Sequence, residues 1–211
     1  MNANTHALGV DVSHYQGVRF DWQTWVRNGI VLCFIKATQN LTYVDPVFAH
    51  NWQAAGGLGL LRGAYHYFEN AVDAAGQAQH FMDIVDWDHG ELPLVVDVED
   101  TTAPLDGDQL LVCLQAIETR MGHKPILYPA DWFWDAAVHW KTATKKPIAW
   151  ARDYDLWVES TVNPPVLPSD WTAWRFWQHI APDGSVDRDE FNGSIADLKA
   201  YSDEVPRGKA H

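Results

Sequence analysis

The stretch Leu92-Pro93-Leu94-Val95-Val96-Asp97-Val98-Glu99-Asp100 is an apolar run that ends in an acidic cluster. Its apolar character predicts a buried strand. Alternate residues of a strand point to one face with Cα atoms ~6.6 Å apart, so Asp97 and Glu99 share a face and Asp100 points away from Glu99. In a parallel barrel the C-terminal strand ends carry the active site. A solvated acidic junction is the alternative, and this stretch alone does not decide between them.

Strand-like and helix-like patterns alternate along the rest of the chain. The predicted strands cover residues 8–13, 30–36, 62–68, 92–99, 125–128, 147–151, 171–178 and 186–187. The predicted helices cover residues 21–28, 46–56, 74–85, 107–120, 130–139 and 194–201. Five strand–helix units are thus followed by three strands with little helix, because the connection 152–170 is Pro-rich and poorly helical. This order predicts an α/β fold in which a largely parallel sheet closes into a TIM-like barrel.

The length of 211 residues is sufficient to bury a substantial core, and no linker or internal repeat divides the chain. We therefore expect one barrel domain over residues 1–211, with a core from about residue 8 to residue 201 and a loose tail over 202–211. The two cysteines, Cys33 and Cys113, lie in apolar runs. That setting favours buried free thiols over a disulfide.

The charge of the chain limits its partners. With 28 acidic and 15 basic residues the net charge is −13, which argues against a nucleic-acid partner because phosphate binding needs clustered Lys and Arg. No segment approaches the ~18 apolar residues of a membrane span. The first seven residues have neither the basic region nor the apolar region of a secretory signal. The twelve tryptophans suit a ring-bearing ligand such as a carbohydrate, although core filling is an alternative use for them.

Polar side chains occur at the ends of most predicted strands. These residues are Asp11, Lys36, His66, Asp97, Glu99, Tyr128, Arg152, Gln178 and Asp187. In a barrel the strand ends converge on one mouth. Four of the residues are acidic, and both burial and like charges raise a carboxyl pKa, so one member of the group is expected to hold a proton near neutral pH. A general acid needs this property, and glycosidic bond cleavage commonly uses such an acid with a second carboxylate.

Other site chemistries have little support in the sequence. The patterns of zinc proteases, paired-cysteine metal sites and EF-hands are absent, as are phosphate-binding loops, dinucleotide fingerprints and serine nucleophile elbows. We therefore expect neither a metal nor a cofactor. Asp183, Asp187 and Asp189 resemble the start of a calcium loop, but the twelve-residue pattern does not continue. A solvated acidic turn is favoured for Asp183 and Asp189.

Five ordered segments resemble the family 25 glycoside hydrolases, the Chalaropsis-type lysozymes of bacteria, fungi and phage endolysins. The segments are Gly9–Gly17, Phe34–Thr38, Gly63–Phe68, Pro93–Glu99, and Trp177-Gln178 with Val186-Asp187. The resemblance spans about residues 8–191. It implies a flattened (β/α)5(β)3 barrel and an N-acetylmuramidase that cleaves the β-1,4 bond between N-acetylmuramic acid and N-acetylglucosamine in peptidoglycan.

The resemblance also implies roles for individual residues. Glu99 would be the general acid/base, Asp97 its partner, and Asp11 and Asp187 the other acidic members of the cleft. The residues implied to line the sugar subsites are Lys36, Tyr65, His66, Tyr67, Tyr128, Trp150 and Gln178. The sequence leaves open whether the reaction is substrate-assisted. One departure is the pair Gln39-Asn40, which stands where Glu-Gly is expected, and Gln39 has no assigned role.

Peptidoglycan glycan strands are the partner that the resemblance implies, and we expect a monomer that acts on the bacterial cell wall after secretion or phage release. Two alternatives remain. A chitin-directed hydrolase would carry an Asp-x-x-Asp-x-Asp-x-Glu run, but Leu92 and Val95 occupy its first two Asp positions. A barrel that binds peptidoglycan or chitin oligosaccharides with weak or no turnover is the other.

Overall fold

Short strands joined by helices form one continuous sheet in the computed structural model, which describes residues 6–85, 90–130, 132–136, 148–179 and 186–206. The strands are β1 (Ala7–Val12), β2 (Ile30–Gln39), β3 (Tyr43–Val44), β4 (Leu61–Tyr67), β5 (Val95–Val98), β6 (Ile126–Pro129), β7 (Trp157–Glu159), β8 (Phe176–His179) and β9 (Arg188–Phe191). The helices are α1 (Trp22–Arg27), α2 (Phe48–Gly57), α3 (Ala74–Val85), α4 (Gly107–Met121) and α5 (Ile195–Asp203), and residues 132–136 are also helical.

The sheet curls into a nearly closed barrel. Its strand order is β6-β5-β4-β2-β1-β9-β8-β7, and β3 forms a hairpin with the end of β2. Two parallel bridges, Leu127 to Leu156 and Ala130 to Glu159, link the β6 side to the β7 side. The first five barrel strands are parallel, as are β7 and β8. The predicted α/β barrel is thus confirmed.

Strand β9 is reversed, because it pairs antiparallel with both β1 and β8. Its first residue therefore lies at the mouth where the other barrel strands end. Asp187 immediately precedes β9 and reaches that mouth from the start of a strand. The strand predicted at 186–187 was wrong, since pairing with β8 begins at Arg188.

Two apolar layers hold the barrel together. On β2, Leu32 and Phe34 belong to an inner cluster, whereas Cys33 and Ile35 belong to an outer cluster between sheet and helices. The Phe34 ring lies 4.2 Å from the ring of Trp157 on β7, so the inner cluster spans the barrel. Both cysteines are buried and free, in agreement with the prediction for Cys33 and Cys113.

Local sequence signals explain four of the helix ends. Asp21, Asp106 and Ser194 cap α1, α4 and α5 with side-chain oxygens, and Gly122 ends α4 with a positive φ of 70°. Helix α2 begins at Phe48, two residues later than predicted, and the carboxylate of Asp45 accepts the backbone N–H of Val47 just before the helix and that of the distant His14. Among the described residues, no helix has both the length and the apolar character needed to cross a bilayer.

The structure differs from the predictions after residue 147. Ile148 to Trp150 enter a turn that continues into a 3-10 helix at Ala151–Asp153, so the strand predicted at 147–151 was wrong over its described part. The actual strand is β7, within the connection predicted to be irregular. Three residues are too few for β7 to show an alternating pattern in the sequence.

The C-terminal part is more ordered than predicted. Helix α5 continues to Asp203, and both Ser202 and Val205 are buried, so residues 202–206 are not a loose tail. Residues 207–211 of the predicted tail and residues 137–139 of the helix predicted at 130–139 lie outside the described residues.

Gly63→Ala tests the packing of the inner layer. A Cβ atom at Gly63 would lie 2.6 Å from two ring carbons of Phe34, which is packed against Trp157 and Phe176. We expect a loss of about 1–3 kcal/mol in the free energy of unfolding, measured by urea denaturation. Gly57→Ala is the matched control, because nothing lies within 4 Å of a Cβ there. Equal stability of the two variants would contradict the packing argument.

Candidate active site

An open cleft of about 510 Å³ lies at the mouth where β1, β5, β6, β7 and β8 end. Five acidic residues line it, namely Asp11, Asp97, Glu99, Glu159 and Asp187. The other lining residues are Ser13, Gln16, Tyr65, Tyr128, Trp132, Trp157 and Gln178. All four acidic residues predicted from the sequence are therefore brought together.

Asp11 belongs to a hydrogen-bonded chain across the cleft. Nε2 of Gln178 donates to its Oδ2 at 2.7 Å, and the hydroxyl of Tyr128 donates to Oε1 of Gln178 at 2.6 Å. Burial raises the pKa of Asp11 to about 7, and the nearby charges of Asp187 and Glu99 add to this, while the bond from Gln178 opposes it. Asp11 therefore exchanges its proton near neutral pH.

Asp97 and Glu99 also have raised pKa values. Burial is the main cause for Asp97, followed by the charge of Glu99. Burial is also the main cause for Glu99, followed by the charge of Glu159, and Lys36 opposes both shifts. Burial likewise raises the pKa of Asp187. Such a cluster supplies a protonated carboxyl beside ionised ones, which suits acid-catalysed bond cleavage.

The match to a family decides the class of enzyme. Residues 10–186 match the model described as Glycosyl hydrolases family 25. The chain belongs to this family. The chain is 37% identical to the Uncharacterized protein YegX of Escherichia coli K12, in a match that covers 93% of this chain and 74% of that protein. It is 32% identical to Lysozyme M1 of Streptomyces globisporus, in a match that covers 93% of this chain and 71% of that protein.

A solved structure supports the same assignment. The bacterial lysozyme from Streptomyces coelicolor superposes with a TM-score of 0.82 at 28% identity, covering 97% of this chain and 100% of the other. The family 25 protein is thus a glycoside hydrolase of the lysozyme type, as predicted. The alternative of a barrel that only binds sugars is not favoured.

Lys36 and Tyr67 lie beside the cleft of the family 25 enzyme, behind its lining. Nζ of Lys36 lies 4.7 Å from the centre of the Tyr67 ring and donates to Oε1 of Gln39 at 2.9 Å. Burial raises the pKa of Tyr67, and the charges of Glu99 and Asp97 add to the shift. Tyr67 is the register partner of Asp97 on β5, and Lys36 is the register partner of Tyr65 on β4, whereas Tyr65, Tyr128 and Gln178 line the cleft itself.

His66 does not reach the cleft. Tyr65 and Tyr67 share the inner face of β4, so His66 points to the outer face, where its ring stacks on Phe81 of α3 at 5.4 Å. It is fully buried, and burial lowers its pKa to about 3. The substrate contact predicted for His66 was therefore wrong.

Trp150 is not brought to the cleft either. It lies on the turn before the 3-10 helix, with its ring 6.0 Å from that of Tyr154, and packs against the outer apolar layer. The prediction placed it on a strand that does not form. Arg152, predicted at the same strand end, lies within the 3-10 helix for that reason.

Sequence reasoning missed Glu159 and Trp157, because both lie on the short strand β7. It also assigned no site role to Ser13 and Gln16, although both lie within Gly9–Gly17, the first of the segments that resemble family 25. The backbone N–H of Ser13 donates to Oε1 of Gln16 at 2.8 Å, which fixes the loop at the cleft edge. Trp132, which is 58% exposed, was also missed, because nothing in the sequence except its residue type marks it as a cleft residue.

The turn predicted at Asp189 was wrong. Asp189 lies on β9 two residues before Phe191, and both point into the barrel, where Asp189 is fully buried. Its Oδ1 accepts a bond of 2.9 Å from the indole N–H of Trp157, and burial raises its pKa. Asp189 therefore holds the cleft-lining Trp157 from the barrel interior. Asp183 lies outside the described residues.

Proposed function

We propose that this family 25 enzyme is a muramidase that hydrolyses the β-1,4 bond between N-acetylmuramic acid and N-acetylglucosamine, with Glu99 as the proton donor. The observation that carries the proposal is the acidic pair at the end of β5, buried in a cleft beside Asp11 and Asp187. Burial and neighbouring charges keep a proton on the pair at a pH where exposed carboxyls are ionised.

Glu99 has the access that a general acid needs. It is half-buried at the cleft wall, so a glycosidic oxygen from the substrate is able to reach its carboxyl group. Proton transfer to that oxygen allows the aglycone to leave as an alcohol, and the resulting carboxylate then takes a proton from the attacking water. One residue thereby acts first as acid and then as base.

Asp97 suits the orientation of a substrate group. It is 5% exposed, and within the described part of the chain its Oδ1 atom is buried without a hydrogen-bond partner. A substrate N–H at this atom would remove the cost of an unpaired buried acceptor. The 2-acetamido group of the muramic acid unit has such an N–H, which supports a substrate-assisted route in which the acetamido oxygen attacks the anomeric carbon.

The remaining groups surround the reacting sugar. Asp187, next to the reversed strand, supplies negative charge that favours an oxocarbenium-like transition state, and Asp11, oriented by Gln178 and Tyr128, adds to it in its ionised form, above about pH 7. Tyr65 and Tyr128 offer ring faces and hydroxyls to the sugar. Lys36 and Tyr67 act from behind the lining.

Peptidoglycan lies outside the cytoplasmic membrane, so the enzyme works after secretion or phage release. A monomer suffices for this activity, because one chain supplies all the cleft residues named above. We regard residues 1–211 as one catalytic domain for the same reason.

Mass spectrometry of digested peptidoglycan tests the bond specificity. We expect every new reducing end to be N-acetylmuramic acid, since the acid cleaves on that side of the disaccharide. Reducing ends of N-acetylglucosamine would contradict the proposal. Chitin oligosaccharides serve as the matched control substrate, and we expect them to remain intact, because they lack the muramic acid unit.

A further inference from the structure

A neutral amide separates a cation from a carboxylate next to the cleft. Oε1 of Gln39 accepts a bond of 2.9 Å from Nζ of Lys36, and Nε2 of Gln39 donates a bond of 2.7 Å to Oε1 of Glu69. The amide orientation is thus set by its two charged partners. Only a side chain with one acceptor and one donor completes this chain, so a glutamate at position 39 would place two carboxylates against each other.

The segment after β2 is built around Glu69. The side-chain amide of Asn40 donates to Oε2 of Glu69, and the backbone N–H of Asn40 donates to the carbonyl of Tyr67 at 3.4 Å. Asn40 has a positive φ of 57°, a conformation that asparagine tolerates better than most residues. The residues that depart from the expected Glu-Gly pair therefore form one connected unit with Glu69.

The ammonium group of Lys36 is largely removed from solvent. Lys36 is 7% exposed, and its Nζ lies 4.7 Å from the centre of the Tyr67 ring and 5.9 Å from that of Tyr43. The acidic residues whose charges act on it are Asp97, Asp45, Glu99 and Glu69. Solvent screens such a buried charge weakly, so the position of each neighbouring carboxylate matters.

We propose that Gln39 is a positioning residue that keeps the negative charge of Glu69 one side chain away from Lys36, so that the ammonium group acts on Asp97 and Glu99. The inference rests on the proposed function only in that Glu99 is taken as the proton donor. The distance between this negative charge and Lys36 therefore sets how far the ammonium group lowers the proton affinity of the acidic pair.

The direction of the expected change in the pKa of Glu99 follows from the groups that face it. Besides Lys36 on β2, the charged or titratable groups around it among the described residues are Asp11, Tyr65, Tyr67, Asp97, Tyr128, Glu159 and Asp187. Lys36 lowers the pKa of Glu99, whereas the carboxylates of Glu159 and Asp187 raise it. A carboxylate placed directly on Lys36 offsets its charge, so the pKa of Glu99 rises and the enzyme stays active to higher pH.

The double variant Gln39→Glu/Glu69→Gln tests this directly. It keeps the net charge and the hydrogen bonds that link Lys36, position 39, position 69 and Asn40. The carboxylate at position 39 accepts from Lys36 and from the new amide N–H at position 69. The amide oxygen at position 69 accepts from Asn40. It moves one negative charge from position 69 to position 39. We expect the alkaline limb of kcat/KM against pH to move up by about half to one pH unit.

The control is an equivalent exchange on the exposed face of α3, Gln79→Glu/Asp83→Asn, where Nε2 of Gln79 donates to Asp83 at 2.7 Å. We expect its pH profile to match that of the wild type. An unchanged alkaline limb in the Gln39/Glu69 double variant, with thermal unfolding like that of the wild type, would overturn the proposal.

A second measurement does not depend on activity. Titration of the Glu99 side chain by ¹³C NMR in the substrate-free protein should show the same upward shift in the double variant. The single variant Gln39→Glu, which adds a carboxylate on Lys36 without removing Glu69, should also show an upward shift. The single variant also serves if the double variant does not fold. No shift in the titration refutes the role of Gln39 even if Glu99 is the acid. A shift without any change in the pH profile would instead contradict the role of Glu99.

Discussion

Glu99→Gln is expected to lower the turnover of peptidoglycan by roughly 10²–10⁴-fold, the usual contribution of a general acid. The amide has nearly the shape of the carboxyl group but has no proton to give to the leaving oxygen. The fold should survive, because the exchange removes a partly buried acidic group whose pKa is already raised by burial. We expect the melting temperature to equal or exceed that of the wild type.

The rate of reducing-end release from purified peptidoglycan measures this effect. Glu204→Gln is the matched control, because Glu204 is exposed at the end of α5, away from the cleft. Its turnover should equal that of the wild type. Undiminished turnover in Glu99→Gln would exclude Glu99 as the proton donor and direct attention to the other acidic residues of the cleft.

Asp11→Asn is expected to stabilise the protein at pH 8. A carboxyl whose pKa rises from 3.8 to about 7 on folding costs up to about 4 kcal/mol when it is ionised in the folded state. Asp11 is partly exposed to the open cleft, which reduces this cost, so we expect a gain of about 1–3 kcal/mol. The asparagine oxygen still accepts the bond from Gln178. Activity should fall, as is common when a strained site is relieved.

The pH dependence follows from proton binding. Between pH 3.8 and about 7 the folded state holds a proton on Asp11 that the unfolded state has released, so the contribution of Asp11 to stability falls as pH rises through this window. Below the window both states are protonated, so at pH 4, close to its lower edge, Asp11→Asn should have only a small effect. Above it the gain should reach a constant value.

Urea denaturation at pH 4, 6 and 8 checks this prediction. Asp203→Asn is the control, because Asp203 is exposed on α5 and forms an ion pair with the exposed Lys199. Its effect should stay below about 0.5 kcal/mol at each pH. A gain for Asp11→Asn that is equal at pH 4 and pH 8 would contradict the assigned proton on Asp11.

The alternation of side chains along a strand was readable from the sequence. It placed Asp97 and Glu99 on one face and Asp100 away from Glu99. The structure agrees, since Asp100 accepts backbone N–H bonds from Asn70 and Thr102 and has a structural role. The same rule, applied to β4, would have turned His66 away from the cleft, because it separates His66 from Tyr65 and Tyr67.

The sequence by itself determined the order of the first five barrel strands and of the helices between them, the barrel class and the chemistry at the end of β5, because these depend on periodicity and residue type over a few neighbours. Only the tertiary structure decided which distant groups meet. Gln178 bonds to Asp11 across 167 positions of the chain, Asp187 lies just before a reversed strand, and Glu159 lies on a strand of three residues. Such pairings depend on how the barrel closes, and local sequence patterns do not predict that closure.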